Sequence, residues 1–262
     1  PLTLSGSRGV IRANNAAELV QAATRLTRLL ARTGPGPQPF LVEDYIPGVE
    51  VALEGMLDNG RLTVLALFDK PDPLEGPFFE ETIYTTPSRL PAADQQAITE
   101  VAQQAAAALG LRHGPLHAEL RLNDDGPWLV EAAGRSIGGM CGQTLRFDAG
   151  ASLEELILRQ AVGLPLPAIP AEREASGVMM IPIPEAGLLK GYHGVEAATA
   201  VPLIESVEIT APLNNLLTPL PEGESYLGFI FARGEGATAV ENALRQAHAC
   251  LHFDIAPQLV LL

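Results

Sequence analysis

The chain is poor in several residue types, and each shortage argues against a class of protein. Only two of its 262 residues are cysteine, and its 31 acidic residues outnumber the 17 basic ones. Two cysteines are too few for a disulfide framework or a cysteine-rich metal site. A formal net charge of -14 argues against a broad basic surface for the nucleic-acid backbone. We therefore expect no nucleic-acid partner.

Long apolar runs are also missing. No stretch reaches the roughly 18 apolar residues that a membrane-spanning helix needs, and the first residues lack the charged and apolar blocks of a signal peptide. With 47% hydrophobic and 18% charged residues, the composition predicts a cytoplasmic globular protein with a sizeable core and no membrane partner. Because the chain starts at Pro1 with no initiator methionine, we expect a fragment of a longer protein.

Lysine is the scarcest charged residue. Of the 17 basic residues only Lys70 and Lys190 are lysine, so any chemistry that requires a lysine has two candidates. We also find no Ser, Cys or His triad that would indicate nucleophilic catalysis.

Helical periodicity predicts four helices. Asn15 with Glu18, and Ser152 with Glu155, have the spacing of capping boxes and mark two of the starts. The predicted helices cover about residues 15–33, 94–109, 152–162 and 237–251. The last one is rich in alanine and could pack against a second copy, which would make the protein a homodimer.

Short apolar runs predict the strands. Those at about residues 40–45, 49–57 and 61–68, with Asp58-Asn59-Gly60 as a hairpin turn, are expected to form one antiparallel sheet. Further strands are predicted at about 80–86, 117–122 and 128–132, and the C-terminal part adds two at 178–183 and 226–233. A proline-containing stretch at 164–175 is a plausible linker. We therefore divide the chain into a larger domain, residues 1–165, and a small α+β domain, residues 166–262.

Two acids are the sharpest chemical feature. Glu119 and Glu131 lie on the two strands of the Asn123–Gly126 hairpin. With a loop from 123 to 127, the two carboxylates face each other on one side of the sheet. Such a pair is destabilising unless a cation lies between them, and Mg²⁺ suits it because it combines a few carboxylate oxygens with waters and phosphates. Two solvated surface glutamates are the alternative.

Three weaker motifs accompany the acid pair. Arg135, in the glycine-bearing turn after Glu131, could reach a phosphoryl group, or could be a surface arginine. The small-residue stretch 5–9 could turn its backbone N–H groups toward an anion, or be a plain turn; it lacks the Walker and Rossmann spacings. The segment 41–50 could line an adenine ring, or be an ordinary strand and turn.

In combination and order, these motifs resemble the ATP-grasp superfamily of carboxylate-amine ligases, and within it the L-amino acid ligase branch. The resemblance covers about residues 1–163, and the remainder looks like the C-terminal domain of that branch. It implies an α/β (α+β) protein with the ATP-grasp fold: an antiparallel sheet with flanking helices, plus a small C-terminal α+β domain.

The resemblance also implies an enzyme that uses ATP and Mg²⁺ (or Mn²⁺). It would join a small-molecule carboxylate to an amine, both expected to be amino acids, through an acyl phosphate, with release of ADP and phosphate. An ATP-grasp enzyme of biotin-carboxylase-like or purine-biosynthetic type, and a nucleotide-binding module without catalysis, are the alternatives.

The resemblance assigns roles to individual residues. It implies that the small-residue loop contacts ATP through Ser5, Gly6, Ser7 and Gly9, and that the adenine hinge consists of Glu43, Tyr45 and Ile46. It also implies that Glu50 binds the ribose and that Lys70 binds a phosphate. Glu119 and Glu131 would bind the metal, and Arg135 and Glu81 would be the catalytic residues. The substrates would contact Glu81, Tyr84, His117, Gly138 and Gly139.

The chain departs from the family pattern at two places. The family usually carries an asparagine two positions after the second metal glutamate, where this chain has Ala133. It also places one lysine just before the motif that starts here at Pro1, and another further upstream. We therefore expect that one metal ligand is missing or replaced, and that the fragment alone is inactive or severely impaired.

Overall fold

A computed structural model describes residues 1–34, 36, 38–167, 174–223 and 225–257. In this part of the chain the helices are α1 (Ala16–Leu30), α2 (Ala92–Ala108), α3 (Leu153–Ala161), α4 (Val195–Thr199) and α5 (Ala237–Cys250). The strands are β1 (Val49–Asp58), β2 (Arg61–Asp69), β3 (Ile83–Thr86), β4 (Gly114–Asn123), β5 (Gly126–Ala133), β6 (Ala175–Ile181), β7 (Gly187–His193), β8 (Ile204–Ile209), β9 (Leu216–Leu217), β10 (Gly228–Gly234) and β11 (His252–Ala256). None of these helices is long and apolar enough to cross a bilayer.

The strands form two antiparallel sheets. The larger has eight strands in the order β5-β4-β1-β2-β3-β6-β10-β8, and the smaller has the order β11-β7-β9. Strands β6, β10 and β8 of the C-terminal part extend the larger sheet, because β3 pairs with β6 at Ile83 and Met179. The predicted α+β fold with a large antiparallel sheet is confirmed, and this sheet runs across both parts of the chain.

The two faces of the large sheet differ in polarity. On one face Leu53, Leu57 and Leu116 pack against Ile98 and Ala102 of α2. Side chains alternate along a strand, so the opposite face receives Glu50, Ala52 and Glu54 from β1. The register of β1 with β4 places Arg121, Glu119 and His117 directly beside these three residues. Charged groups therefore gather on a single face, which we call the acidic face.

Capping interactions define where two helices begin, as predicted. Asn15 accepts a hydrogen bond from the backbone N–H of Glu18 at 3.0 Å, and its amide donates to Glu18 Oε1 at 2.7 Å. Ser152 accepts from the backbone N–H of Glu155 at 3.2 Å. Each cap satisfies an N–H group that has no partner within the helix.

Several predicted boundaries need correction. The strand predicted at residues 40–45 is wrong, because this segment joins neither sheet and Leu41 and Val42 are 60% and 67% exposed. The strand predicted at 80–86 begins only at Ile83, and the first helix ends at Leu30 rather than at 33. Within the predicted linker, residues 168–173 lie outside the described residues, and Ala175 already belongs to β6.

The alanine-rich helix serves the chain's own core. Ala237, Val240, Ala243, Leu244 and Ala247 of α5 are buried, and α5 packs against β6 and β10. These buried residues are covered by the chain's own strands, and the homodimer stays a prediction.

Candidate active site

A cavity of about 630 Å³ opens over the acidic face. Its walls come from β4 and β5, from the turn after β5, from the N-terminal loop and from the C-terminal part of the chain. The lining residues include Ser5, Gly6, Ser7, Glu81, Tyr84, His117, Glu119, Glu131, Arg135, Gly138, Gly139, Cys141, Met180, Leu216, Tyr226 and Phe229. The cavity therefore collects all of the predicted metal, catalytic and substrate residues.

Glu119 and Glu131 lie directly opposite each other, as predicted. The predicted loop was too long, because Asn123 already pairs with Gly126 and leaves a two-residue turn. That register alone would place Val130 opposite Glu119. A β-bulge between Glu119 and Leu120 shifts the pairing by one residue and brings Glu131 into place.

Lys70 is the centre of a buried cluster of carboxylates. Its Nζ donates to Glu50 Oε1 at 2.7 Å, to Glu81 Oε1 at 2.7 Å and to Glu119 Oε1 at 2.8 Å. The Lys70 side chain is only 3% exposed. Neither Lys70 nor Glu50 is among the described residues that line the cavity, so the structure does not bring these two predicted nucleotide contacts to its wall.

The second oxygen of Glu50 is held by Arg121, a residue that the sequence analysis missed. Arg121 Nε donates to Glu50 Oε2 at 2.7 Å, and its Nη1 donates to the carbonyl of Ile46 at 2.8 Å. The guanidinium also lies over the ring of Tyr45, 5.1 Å from its centroid. Arg121 thus ties the predicted adenine hinge to the acidic face, whereas Glu43 is exposed and away from the cavity wall.

His117 bridges two carboxylates. Its Nδ1 lies 2.5 Å from Glu54 Oε1, and its Nε2 lies 3.5 Å from Glu119 Oε1. Glu54 is fully buried and was also missed. A signal was present in the sequence, because Glu50 and Glu54 are two acids at alternating spacing within a largely apolar strand. The structure shows that they lie beside Arg121 and His117 of β4.

These contacts shift the pKa values of the cluster in different directions. Burial would lower the pKa of Lys70, but the three surrounding carboxylates outweigh it and raise the pKa above its ordinary value. Burial opposes ionisation of Glu119, yet Lys70 and His117 hold its pKa well below the usual range. Burial and the neighbouring Glu119 charge raise the pKa of Glu81 to about 7. The charged form of Glu119 is thus favoured, whereas the charged form of Glu81 is disfavoured.

Two glycine-containing turns bring backbone close to the cavity. Ser5, Gly6 and Ser7 lie on its wall, with Gly6 and Ser7 at φ of 59° and 56°. Gly9 is instead packed beneath α1, where a Cβ atom would lie 2.9 Å from Leu26. Gly139, at φ of 60°, allows a close approach to Met180, whose sulfur a Cβ atom would meet at 3.0 Å.

Apolar side chains also line the cavity. They include Met180, Phe229, Tyr226 and Leu216, together with the buried thiol of Cys141, and they stand beside polar lining residues such as Thr210, Asn215 and Ser225. The hydroxyl of Tyr84 donates to Glu119 Oε1 at 3.4 Å. The cavity thus offers both charged and apolar groups, which is suited to a ligand with both characters.

The acidic face contains two possible cation sites with different environments. Glu50, Glu81 and Glu119 offer oxygens within 4.8 Å of one another, and the ammonium of Lys70 already occupies this set. His117, Glu119 and Glu131 offer a second set within 4.8 Å, at the cavity wall. Two carboxylates and an imidazole are a suitable donor set for a divalent cation, so the residues present fit the expected metal at this second site.

The His117 contacts predict a pH dependence of stability. Burial would lower the pKa of His117, but Glu119 and Glu54 raise it from 6.5 to about 9, which corresponds to about 3 kcal/mol. A folded-state pKa above the unfolded value stabilises the fold fully below pH 6.5, and this contribution disappears as the pH rises through about 9. In chelator, the difference in unfolding free energy between the wild type and His117→Gln should therefore shrink across this interval.

The control for this prediction is His113→Gln. His113 is exposed and lies 3.6 Å from Asp58, so its effect on the unfolding free energy should be small throughout the interval. Urea titrations at several pH values measure both differences. A constant difference between the wild type and His117→Gln would contradict the assigned contacts.

Comparison with known proteins identifies two regions of the chain. Residues 1–144 match the ATP-grasp domain, and residues 179–256 match the L-amino acid ligase C-terminal domain 2. Carnosine synthase 1 of Gallus gallus is 36% identical over 162 residues, which are 61% of this chain and 17% of that protein. The D-alanine--D-alanine ligase of Aromatoleum aromaticum is 33% identical over 129 residues, which are 48% of this chain and 41% of that protein.

A solved structure extends the similarity over nearly the whole chain. The crystal structure of L-amino acid ligase from Bacillus licheniformis superposes with a TM-score of 0.77 at 25% sequence identity. The superposition covers 94% of this chain and 62% of that one, so the chain spans only part of each of these relatives. Since the ATP-grasp match extends over more than half of its residues, the chain belongs to the ATP-grasp family and carries a C-terminal part of the L-amino acid ligase type.

Proposed function

We propose that this chain provides most of the active site of an ATP-dependent ligase that joins the carboxylate of one amino acid to the amine of another. The observation that carries the proposal is the cavity, whose lining combines an acid pair and an arginine with apolar side chains. The similarity of residues 179–256 to the L-amino acid ligase C-terminal domain supports amino acids as substrates.

The acid pair, Arg135 and the N-terminal loop would hold the triphosphate of ATP. Glu119 and Glu131 would bind Mg²⁺, which when bound neutralises phosphate charge and polarises the transferred phosphoryl group. The backbone N–H groups at Ser5 and Ser7 can turn toward phosphate oxygens. Arg135 lies 3.4 Å from Glu131 and is 53% exposed at the cavity wall, so its guanidinium can move onto the γ-phosphoryl group.

The reaction would take place in two steps. A carboxylate oxygen attacks the γ-phosphorus of ATP, the bond to ADP breaks, and an acyl phosphate forms. An amine nitrogen then attacks the acyl carbon, the amide bond forms, and phosphate leaves while the nitrogen loses a proton. Glu81 is a suitable acceptor for that proton, because its pKa is raised to about 7 by burial and by the neighbouring Glu119.

The apolar lining residues would bind the side chain of an amino-acid substrate. Met180, Phe229 and Leu216 are among these residues, and an apolar side chain gains free energy when it leaves water for such a surface. We therefore expect amino acids with apolar side chains to be better substrates than charged ones. Gly138 and Gly139 allow the substrate to approach the backbone at the opposite wall.

Labelled oxygen provides a direct test. The complete protein that contains this chain is mixed with ATP, Mg²⁺ and pooled amino acids, and ADP, phosphate and dipeptides are quantified. With amino acids labelled with ¹⁸O in the carboxylate, the released phosphate should carry one labelled oxygen, because the carboxylate attacks phosphorus. Reactions without amino acids give the background.

Two results would contradict the proposal. Phosphate without label, formed equally with and without amino acids, would indicate simple ATP hydrolysis. Absence of turnover with every amino acid, despite demonstrable ATP binding, would favour another acceptor or a nucleotide-binding module without catalysis.

A further inference from the structure

His117 lies beside the acid pair, in the position paired with residue 133. The resemblance to the ATP-grasp family implies an asparagine ligand at position 133, where this chain has an alanine that cannot bind a cation. In the β4–β5 ladder, His117 pairs directly with Ala133, and Glu119 pairs with Glu131. The imidazole therefore projects from the same face as the acid pair, from the position opposite the lost amide.

The orientation of the ring is typical of a metal-binding histidine. Such histidines usually donate one ring N–H to a carboxylate, which fixes the ring and leaves the other nitrogen for the metal. Here Nδ1 lies 2.5 Å from the fully buried Glu54, and Nε2 lies 3.5 Å from Glu119 Oε1, at a residue that lines the cavity. One ring nitrogen of His117 lies within 4.8 Å of one carboxylate oxygen each of Glu119 and Glu131, and Nε2 is the nitrogen that Glu54 leaves available.

We infer that His117 Nε2 is the third protein ligand of the metal site and replaces the missing asparagine oxygen, with Glu54 as the carboxylate that orients it. This inference rests on the proposed metal role of Glu119 and Glu131, and it moves His117 from substrate contact to metal ligand. Imidazole suits transition metals, whereas Mg²⁺ prefers oxygen ligands. The site should therefore favour Mn²⁺ over Mg²⁺ more strongly than an all-oxygen site does.

The test uses Mn²⁺ as the probe, without nucleotide. Electron spin-echo spectroscopy of Mn²⁺ bound to the protein should show the ¹⁴N modulation of a directly bound imidazole. Protein in which histidine alone is labelled with ¹⁵N should lose the ¹⁴N signal, and this measurement needs no substitution that could affect folding. His117→Gln should also lose it and weaken Mn²⁺ binding by about 10- to 100-fold, with a smaller effect on Mg²⁺.

Two further variants make the test specific. His113→Gln, at the exposed turn, should keep both the nitrogen signal and the Mn²⁺ affinity. His117→Gln combined with Ala133→Asn should regain Mg²⁺ affinity without the nitrogen signal, because an amide oxygen returns at the paired position.

Bound Mn²⁺ without a nitrogen signal, a signal that survives His117→Gln, or no Mn²⁺ binding would each overturn the inference. The first two outcomes would not contradict the proposed ligase reaction, because that reaction is tested independently by ¹⁸O transfer into phosphate with Mg²⁺. Failure of the inference and failure of the proposed function can thus be distinguished.

Discussion

Lys70→Met should lower the free energy of unfolding by about 3 to 5 kcal/mol. The ammonium of Lys70 is the shared partner of Glu50, Glu81 and Glu119, at 2.7 to 2.8 Å. Methionine retains the apolar stem but removes the charge, so three carboxylates would face one another in a buried cluster without their central cation. Urea unfolding of both proteins at pH 7 measures the difference.

The pH dependence of this effect has a definite sign. Desolvation opposes ionisation of Glu119, but Lys70 helps to hold its pKa below the ordinary value of 4.5. Its stabilising contribution is therefore present above pH 4.5 and disappears as the pH falls. Lys70→Met lacks this contribution at every pH. The difference in unfolding free energy between the wild type and Lys70→Met should therefore become smaller as the pH falls.

The chain offers a matched control in its other lysine. Lys190 is exposed and donates a hydrogen bond to Asn214 Oδ1 at 3.2 Å. Lys190→Met should change the unfolding free energy by no more than about 0.5 kcal/mol. Equal effects of the two substitutions would show that the buried cluster is not held by Lys70.

Local signals explain which parts of the fold were predictable. The helix starts at Asn15 and Ser152 follow from capping interactions that involve neighbours three residues away. The strand predicted at 40–45 was wrong because an apolar run does not reveal whether a partner strand lies beside it. The continuous sheet was not anticipated for the same reason, since the pairing of β3 with β6 joins residues about 95 positions apart.

In the candidate site, too, contacts within one hairpin were predictable and contacts between distant segments were not. The facing of Glu119 and Glu131 could be predicted from one hairpin, although a bulge rather than a longer loop sets the register. The buried contacts of Lys70 could not, because Glu50, Glu81 and Glu119 come from three separate segments of the chain. Such clusters depend on the order of the strands in the sheet. The spacing of residues within one segment does not reveal that order.

Arg135→Met should lower kcat of the proposed ligase by about 10²- to 10³-fold, the usual loss when a group that stabilises charge in the transition state is removed. Its effect on the unfolding free energy should stay within about 0.5 kcal/mol. The guanidinium is half exposed, and its ion pair with Glu131 spans 3.4 Å, so the fold gains little from it. Rates of labelled phosphate release and urea unfolding measure the two effects separately.

Arg159→Met is the matched control for this substitution. Arg159 forms the same kind of ion pair with a residue four positions earlier, Glu155, at 2.7 Å, but it lies on α3 and is not among the described residues that line the cavity. Its loss should leave both kcat and stability nearly unchanged. If Arg135→Met retained kcat within threefold while Arg159→Met behaved as expected, Arg135 would be a surface arginine after all, and the charge on the transferred phosphoryl group would have to be stabilised by other groups.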